Sequence, residues 1–221
     1  MKSNLFEPRV QRLRDATAVA IFRMDSSEDA VEGVGAAIRG GFEAVEITMN
    51  TPGASDAIAD VASRGDAIVG AGTVSAPEQV KEAYDAGAEF IVTAVVVPEV
   101  VDAAHDLSLP VALGASTPTE IFNARRADAD WVKVFPAERL GGPDYIADVL
   151  GPLRGTPILV TGGLTAENYL GYLDAGVELV GFASAVFDPV VAAGGRFDEL
   201  ERRAIEVCRR LDMYVTEHEA G

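Results

Sequence analysis

Short apolar runs alternate along the whole chain with longer stretches in which apolar residues recur every three or four positions. The short runs are Ala18–Phe22, Ala44–Thr48, Ala67–Gly70, Phe90–Thr93, Pro110–Leu113, Trp131–Phe135, Pro157–Val160 and Leu179–Phe182. Several are almost unbroken in Val, Ile, Leu, Phe and Ala, the pattern of parallel strands buried on both faces. Between them, Ser26–Arg39, Pro77–Ala86 and Ala166–Asp174 carry helical periodicity, with Asp25 or Ser26 and Thr165 placed as N-caps. Phe6–Arg14 predicts a helix ahead of the first strand, and Glu199–Leu211 the last outer helix.

One punctuation recurs. Gly41-Phe42-Glu43, Gly87-Ala88-Glu89 and Gly176-Val177-Glu178 each close a helical pattern and lead into a strand. A glycine there fits a left-handed helix cap. Their separations, 46 and 89 residues, are close to two and four units of about 22 residues. Eight strands at that repeat predict a single (β/α)8 barrel of the TIM type over residues 1–221, with Phe6–Arg14 as an extra N-terminal helix under its floor. A doubly wound open sheet is the alternative. The polar end, Thr216–Gly221, is expected to fray.

Composition narrows the setting. The 221 residues hold 35 acidic and 18 basic side chains, a net charge of −17, which argues against nucleic acid as a partner. Only Lys2, Lys81 and Lys133 are lysines. A strongly acidic, lysine-poor surface suits a halophilic protein, because concentrated salt screens its self-repulsion. No run is long and apolar enough for a membrane span, and Met1–Arg14 lacks the apolar core of a signal peptide. The single Cys208 excludes a disulfide within the chain and suits a reducing cytoplasm. His105 and His218 lie apart, in a helical pattern and in the tail, and no His, Cys and carboxylate cluster has metal-ligand spacing, so no metal site is expected.

In a barrel of this kind chemistry gathers where the strands end. Those ends are Arg23, Glu46, Thr73, Thr93, Lys133, Thr161-Gly162-Gly163 and Ser184. Two stand out as charges inside apolar strands. Lys133 sits in Trp131-Val132-Lys133-Val134-Phe135-Pro136, in a chain that otherwise avoids lysine. Desolvation at the barrel mouth favours an uncharged amine, which can attack a ketone and form an imine. Glu46, in Ala44-Val45-Glu46-Ile47-Thr48, could move protons for that chemistry; an ion pair that merely keeps Lys133 charged is the other reading. The Gly162-Gly163 turn and Gly181-Phe182-Ala183-Ser184 could offer backbone N–H groups and a hydroxyl to a phosphate. Gly70-Ala71-Gly72-Thr73 would end the third strand and let a substrate approach the backbone.

Four segments in order carry a family likeness: Val45-Glu46-Ile47-Thr48, Gly70-Ala71-Gly72-Thr73-Val74, Val132-Lys133-Val134-Phe135-Pro136-Ala137-Glu138 and Thr161-Gly162-Gly163. From about Thr17 to Leu211 the chain resembles the 2-keto-3-deoxy-6-phosphogluconate (KDPG) and 4-hydroxy-2-oxoglutarate (KHG) aldolases. The resemblance implies a class I enzyme with its Schiff-base lysine at Lys133 and its acid/base at Glu46. It sets Thr73 beside the pyruvyl carboxylate and Gly162, Gly163 and Ser184 around the phosphate. It further implies a homotrimer with no metal or organic cofactor. The reaction would be reversible cleavage of KDPG to pyruvate and D-glyceraldehyde 3-phosphate, in Entner–Doudoroff sugar breakdown.

Three positions depart from the family pattern. Asn50 stands where bacterial members carry an arginine, which leaves Arg23 and Asn50 to share the substrate carboxylate. Thr93-Ala94-Val95 and Phe182-Ala183-Ser184 replace a Ser-Pro-Gly and a Gly-Gly-Ser. The galactonate epimer (KDPGal) and KHG are alternative substrates. A phosphate-binding isomerase or epimerase, and a sugar-phosphate binder without catalysis, are readings of other classes.

Overall fold

A computed structural model describes residues 5–219. Eight parallel strands close into a barrel: β1 Ala18–Phe22, β2 Ala44–Thr48, β3 Ile68–Val74, β4 Phe90–Thr93, β5 Val111–Ala115, β6 Trp131–Val134, β7 Ile158–Thr161 and β8 Leu179–Phe182. Each strand pairs with its neighbour in sequence, and Val19 against Gly181 closes the ring between β1 and β8. Helices alternate with the strands on the outside. The open-sheet alternative is thereby set aside.

Strand alternation splits the apolar residues into two cores. Val19, Ile21, Ala44, Ile68, Phe90, Val92, Ala112, Trp131, Leu159 and Leu179 point into the barrel. Ala20, Phe22, Val45, Ile47, Val69, Val132, Val134, Val160 and Val180 pack outward beneath the helices. This two-sided burial explains why the strands read as continuous apolar runs.

The helix Phe6–Ala16 closes the barrel floor with one face, Phe6, Val10 and Leu13, joined to the inner core. Its other side is basic. Two of the three predicted caps supply acids that meet it. Gly41, Gly87 and Gly176 have φ of 105°, 97° and 94°. Around each, paired backbone bonds close the helix end, for example Gly87 N to Tyr84 O at 2.9 Å and Ala88 N to Ala83 O at 2.9 Å. The glutamate that ends two of these motifs then faces the floor helix. Glu89 accepts from Arg12 Nη1 at 2.9 Å, and Glu178 accepts from Arg14 Nε at 3.2 Å and Trp131 Nε1 at 3.0 Å.

Three expectations change. β3 does not end at Gly70 but runs through Gly72 and Thr73 to Val74. Its inward glycines make room for other side chains: a Cβ on Gly70 would collide with the Phe90 ring, and one on Gly72 with the Glu46 carboxylate. The helix expected over Ala166–Asp174 is confined to Leu170–Asp174. Thr165 is not its cap; the Thr165 and Asn168 side chains bond nearby backbone instead, which competes with helix formation. The last helix runs Phe197–Glu219, so Thr216–Glu219 are ordered helix rather than a frayed end. Tyr214 ties this end down by donating to Asp174 Oδ1 at 2.9 Å and stacking on His218. Residues 220 and 221, like Lys2, lie outside the described residues. Ser26 does cap Ser27–Arg39, accepting from Asp29 N at 3.1 Å.

Candidate active site

A cavity of about 270 Å³ opens at the C-terminal ends of the strands. Arg23, Glu46, Thr73, Lys133, Gly162, Gly163 and Ser184 all line it. They come from loops and strands spread along the sequence from Arg23 to Ser184, and closure of the barrel brings them together. Asn50 does not line this cavity; it is exposed on the turn after β2.

Lys133 and Glu46 occupy corresponding inward positions on opposite walls. Lys133 stands two residues above inward-facing Trp131 in β6, and Glu46 two residues above Ala44 in β2. In an eight-strand ring β2 and β6 are diametrically opposed. Both side chains therefore converge on the barrel axis from either side. Lys133 is only 6% exposed, with its Nζ 5.8 Å from the centre of the Phe135 ring.

Glu46 is fully buried, and neither carboxylate oxygen has a hydrogen-bond partner. Burial raises its pKa above the usual carboxylate range, while the positive charges of Lys133 and Arg23 pull it partly back. A buried, unpartnered carboxyl is costly to keep. It is suited to exchanging a proton with something that enters the cavity. The absence of partners on Glu46 counts against a closed structural ion pair.

Thr73 carries the clearest backbone anomaly of the site. Its φ is 57°, a left-handed conformation that costs a β-branched residue roughly 1–3 kcal/mol. The β3–β4 register slips between Ala71 and Val74, so the chain bulges there and presents Thr73 to the cavity. Its hydroxyl accepts from Arg23 Nη2 at 3.2 Å. Arg23 follows inward-facing Ile21 by two residues and so leans to the same side. A guanidinium and a hydroxyl held together in this way have the chemistry to bind a carboxylate.

Across the mouth lies the glycine turn after β7. Gly162 and Gly163 take φ of 94° and 86°. Among the described residues, the backbone N–H groups of Gly163, Leu164 and Ser184 have no acceptor. Unpaired amides at a glycine turn bind anions well.

Thr93 is not part of the site. Its hydroxyl donates to Val95 O at 2.6 Å and accepts from Gly114 N at 2.9 Å, so it pins the loop after β4. Sequence reasoning missed Phe135, Ile21 and Phe187 as lining residues. Strand alternation alone would have turned Ile21 inward, whereas Phe135 and Phe187 lie beyond strand ends where no periodicity directs them. Among the described residues no cluster of three or more His, Cys, Asp and Glu is placed to hold a metal, and no helix is long and apolar enough to cross a membrane. His105 is instead bonded to Asp130 at 3.0 Å.

Comparison with known proteins shows the family. Residues 10–202 match the family described as KDPG and KHG aldolase. A 2-dehydro-3-deoxy-phosphogluconate aldolase of Haemophilus influenzae is 32% identical over 199 residues, covering 90% of this chain and 94% of that protein. A 2-dehydro-3-deoxy-6-phosphogalactonate aldolase of Escherichia coli K12 is 38% identical over 172 residues, covering 76% of this chain and 83% of that protein. A solved structure described as native KDPGal superposes with a TM-score of 0.82 at 32% identity, over 90% of this chain and 96% of its own. The chain belongs to the KDPG and KHG aldolase family, and it is an aldolase.

Proposed function

We propose that this aldolase cleaves KDPG to pyruvate and D-glyceraldehyde 3-phosphate through an imine on Lys133. The observation that carries the reading is the pair on the barrel axis, a buried lysine facing a buried carboxyl without partners across an open cavity. The Lys133 amine adds to the C2 ketone, and the carbinolamine loses water to give a protonated imine. Glu46 takes the proton from the C4 hydroxyl. The C3–C4 bond then breaks, its electron pair moves into the imine to form an enamine, and the aldehyde departs. Glu46 returns the proton to C3, and water releases pyruvate and regenerates the amine. Arg23 and Thr73 hold the pyruvyl carboxylate, while Gly162, Gly163 and Ser184 hold the phosphate. Asn50, outside the cavity, leaves the carboxylate to Arg23.

Family membership removes the isomerase and epimerase reading. KDPGal is the second reading within the same chemistry, favoured by the 38% identity to a 2-dehydro-3-deoxy-6-phosphogalactonate aldolase. Measuring kcat/KM on KDPG, KDPGal and KHG decides it. KDPG is expected to give the highest value, and a higher value on KDPGal would reassign the substrate.

The reading extends to a cytoplasmic homotrimer adapted to salt, as the −17 charge and the family resemblance suggest. Sedimentation equilibrium and thermal melting across a salt series test both points. Three times the chain mass of 23.2 kDa and a melting temperature that rises with salt are expected. A monomer at all concentrations, or melting indifferent to salt, would contradict them.

A further inference from the structure

Glu138 lies in the Lys133–Glu138 segment, yet nothing in the chemistry above uses it. Its Oε2 is a junction. Tyr172, whose ring is wholly buried, donates its hydroxyl to it at 2.8 Å, and Asn168 Nδ2 donates at 3.2 Å. The same Asn168 amide donates to Gly163 O at 3.0 Å, and Glu138 N donates to Gly162 O at 3.1 Å. Gly163 also packs so closely on Glu138 that a Cβ would lie 2.6 Å from the glutamate's own Cβ.

Both carbonyls of the glycine turn are therefore held from one side. In a trans peptide the carbonyl of one residue and the N–H of the next point in opposite directions. Anchoring Gly162 O and Gly163 O thus leaves the Gly163 and Leu164 N–H groups on the other side, unpaired, and Gly163 lines the cavity. A negative side chain so near an anion seat repels the anion through space. Its presence there makes sense only through the donors it organises.

We propose that Glu138 is a positioning residue for phosphate recognition: through Tyr172 and Asn168 it fixes the Gly162-Gly163 turn with its amides toward the substrate's phosphate. This rests on the reading of that turn as the phosphate seat. Glu138→Ala should raise KM for KDPG and the inhibition constant for inorganic phosphate about tenfold, with kcat changed little. It should leave the exchange of pyruvate methyl protons with deuterium oxide, which needs Lys133 and no phosphate, at the wild-type rate. Glu138→Gln keeps an oxygen that accepts from Tyr172 and Asn168 and loses the charge, so it should restore both constants to wild-type values or below. Should Glu138→Ala not fold, Tyr172→Phe removes one donor and keeps the ring, and a several-fold rise in the same two constants is expected.

Unchanged constants in these variants, or a parallel loss of proton exchange, would overturn the assignment. A wild-type protein that exchanges no pyruvate protons would instead overturn the imine reading itself. The two failures are distinct.

Discussion

Lys133→Ala should lower pyruvate production from KDPG by about 10⁴-fold or more, because it removes the nucleophile through which every later step passes. The barrel should persist. Lys133 lies at the open end of the interior, above a core of Val19, Ile21, Phe90, Trp131 and Leu159 that the substitution leaves intact. Lys133→Arg should be equally inactive, since a guanidinium stays protonated and forms no imine with a ketone. Circular dichroism with wild-type melting behaviour would show that chemistry, and not folding, has been lost. A variant that kept turnover within tenfold of wild type would place the nucleophile elsewhere.

Glu46→Gln comes next in size, with kcat reduced by about 10²–10⁴. The amide fills the same space against Gly72 but cannot take the C4 proton. Imine formation should still reach completion, more slowly, because the amine remains. The acid limb of the wild-type rate profile, set above the ordinary carboxylate range by the burial of Glu46, should vanish in the variant.

The same substitution should stabilise the fold near neutral pH. A carboxyl whose pKa is raised by folding holds its proton more tightly in the native state, so its contribution is present below the unfolded pKa. That contribution is lost as pH rises from there through the native value. Neutral Gln has no such loss. The variant should melt higher than wild type at neutral pH, and the gap should close as pH falls below the ordinary carboxylate range. Equal melting across that range would mean that Glu46 is not held against the cost of burial.

Why the fold was legible follows from how a barrel buries its strands. Continuous runs such as Ala44–Thr48 and Leu179–Phe182 mark strands covered on both sides, and the observed bounds coincide with them. Lys133 and Glu46 were legible for the same reason, since a charge has no ordinary place in such a run. What escaped notice depends on partners far along the chain. Gly70 and Gly72 read as a strand end open to substrate until Phe90 and Glu46 are seen to fill the space they leave. Thr73 gives no hint of a left-handed backbone, because the β3–β4 bulge that imposes it is a matter of strand pairing. The glutamates after Gly87 and Gly176 show their purpose only once the floor helix brings Arg12 and Arg14 beside them. Asn50 was expected at the substrate because it stands where members of the family carry an arginine, yet the chain turns it outward.

Borohydride reduction in the presence of pyruvate, followed by peptide mass mapping, tests the central claim most directly. A stable pyruvyl adduct should appear on the peptide that contains Lys133 in the wild-type protein and be absent from Lys133→Ala. An adduct on Lys81 or Lys2 instead, or none from a folded protein that still releases pyruvate, would contradict the account.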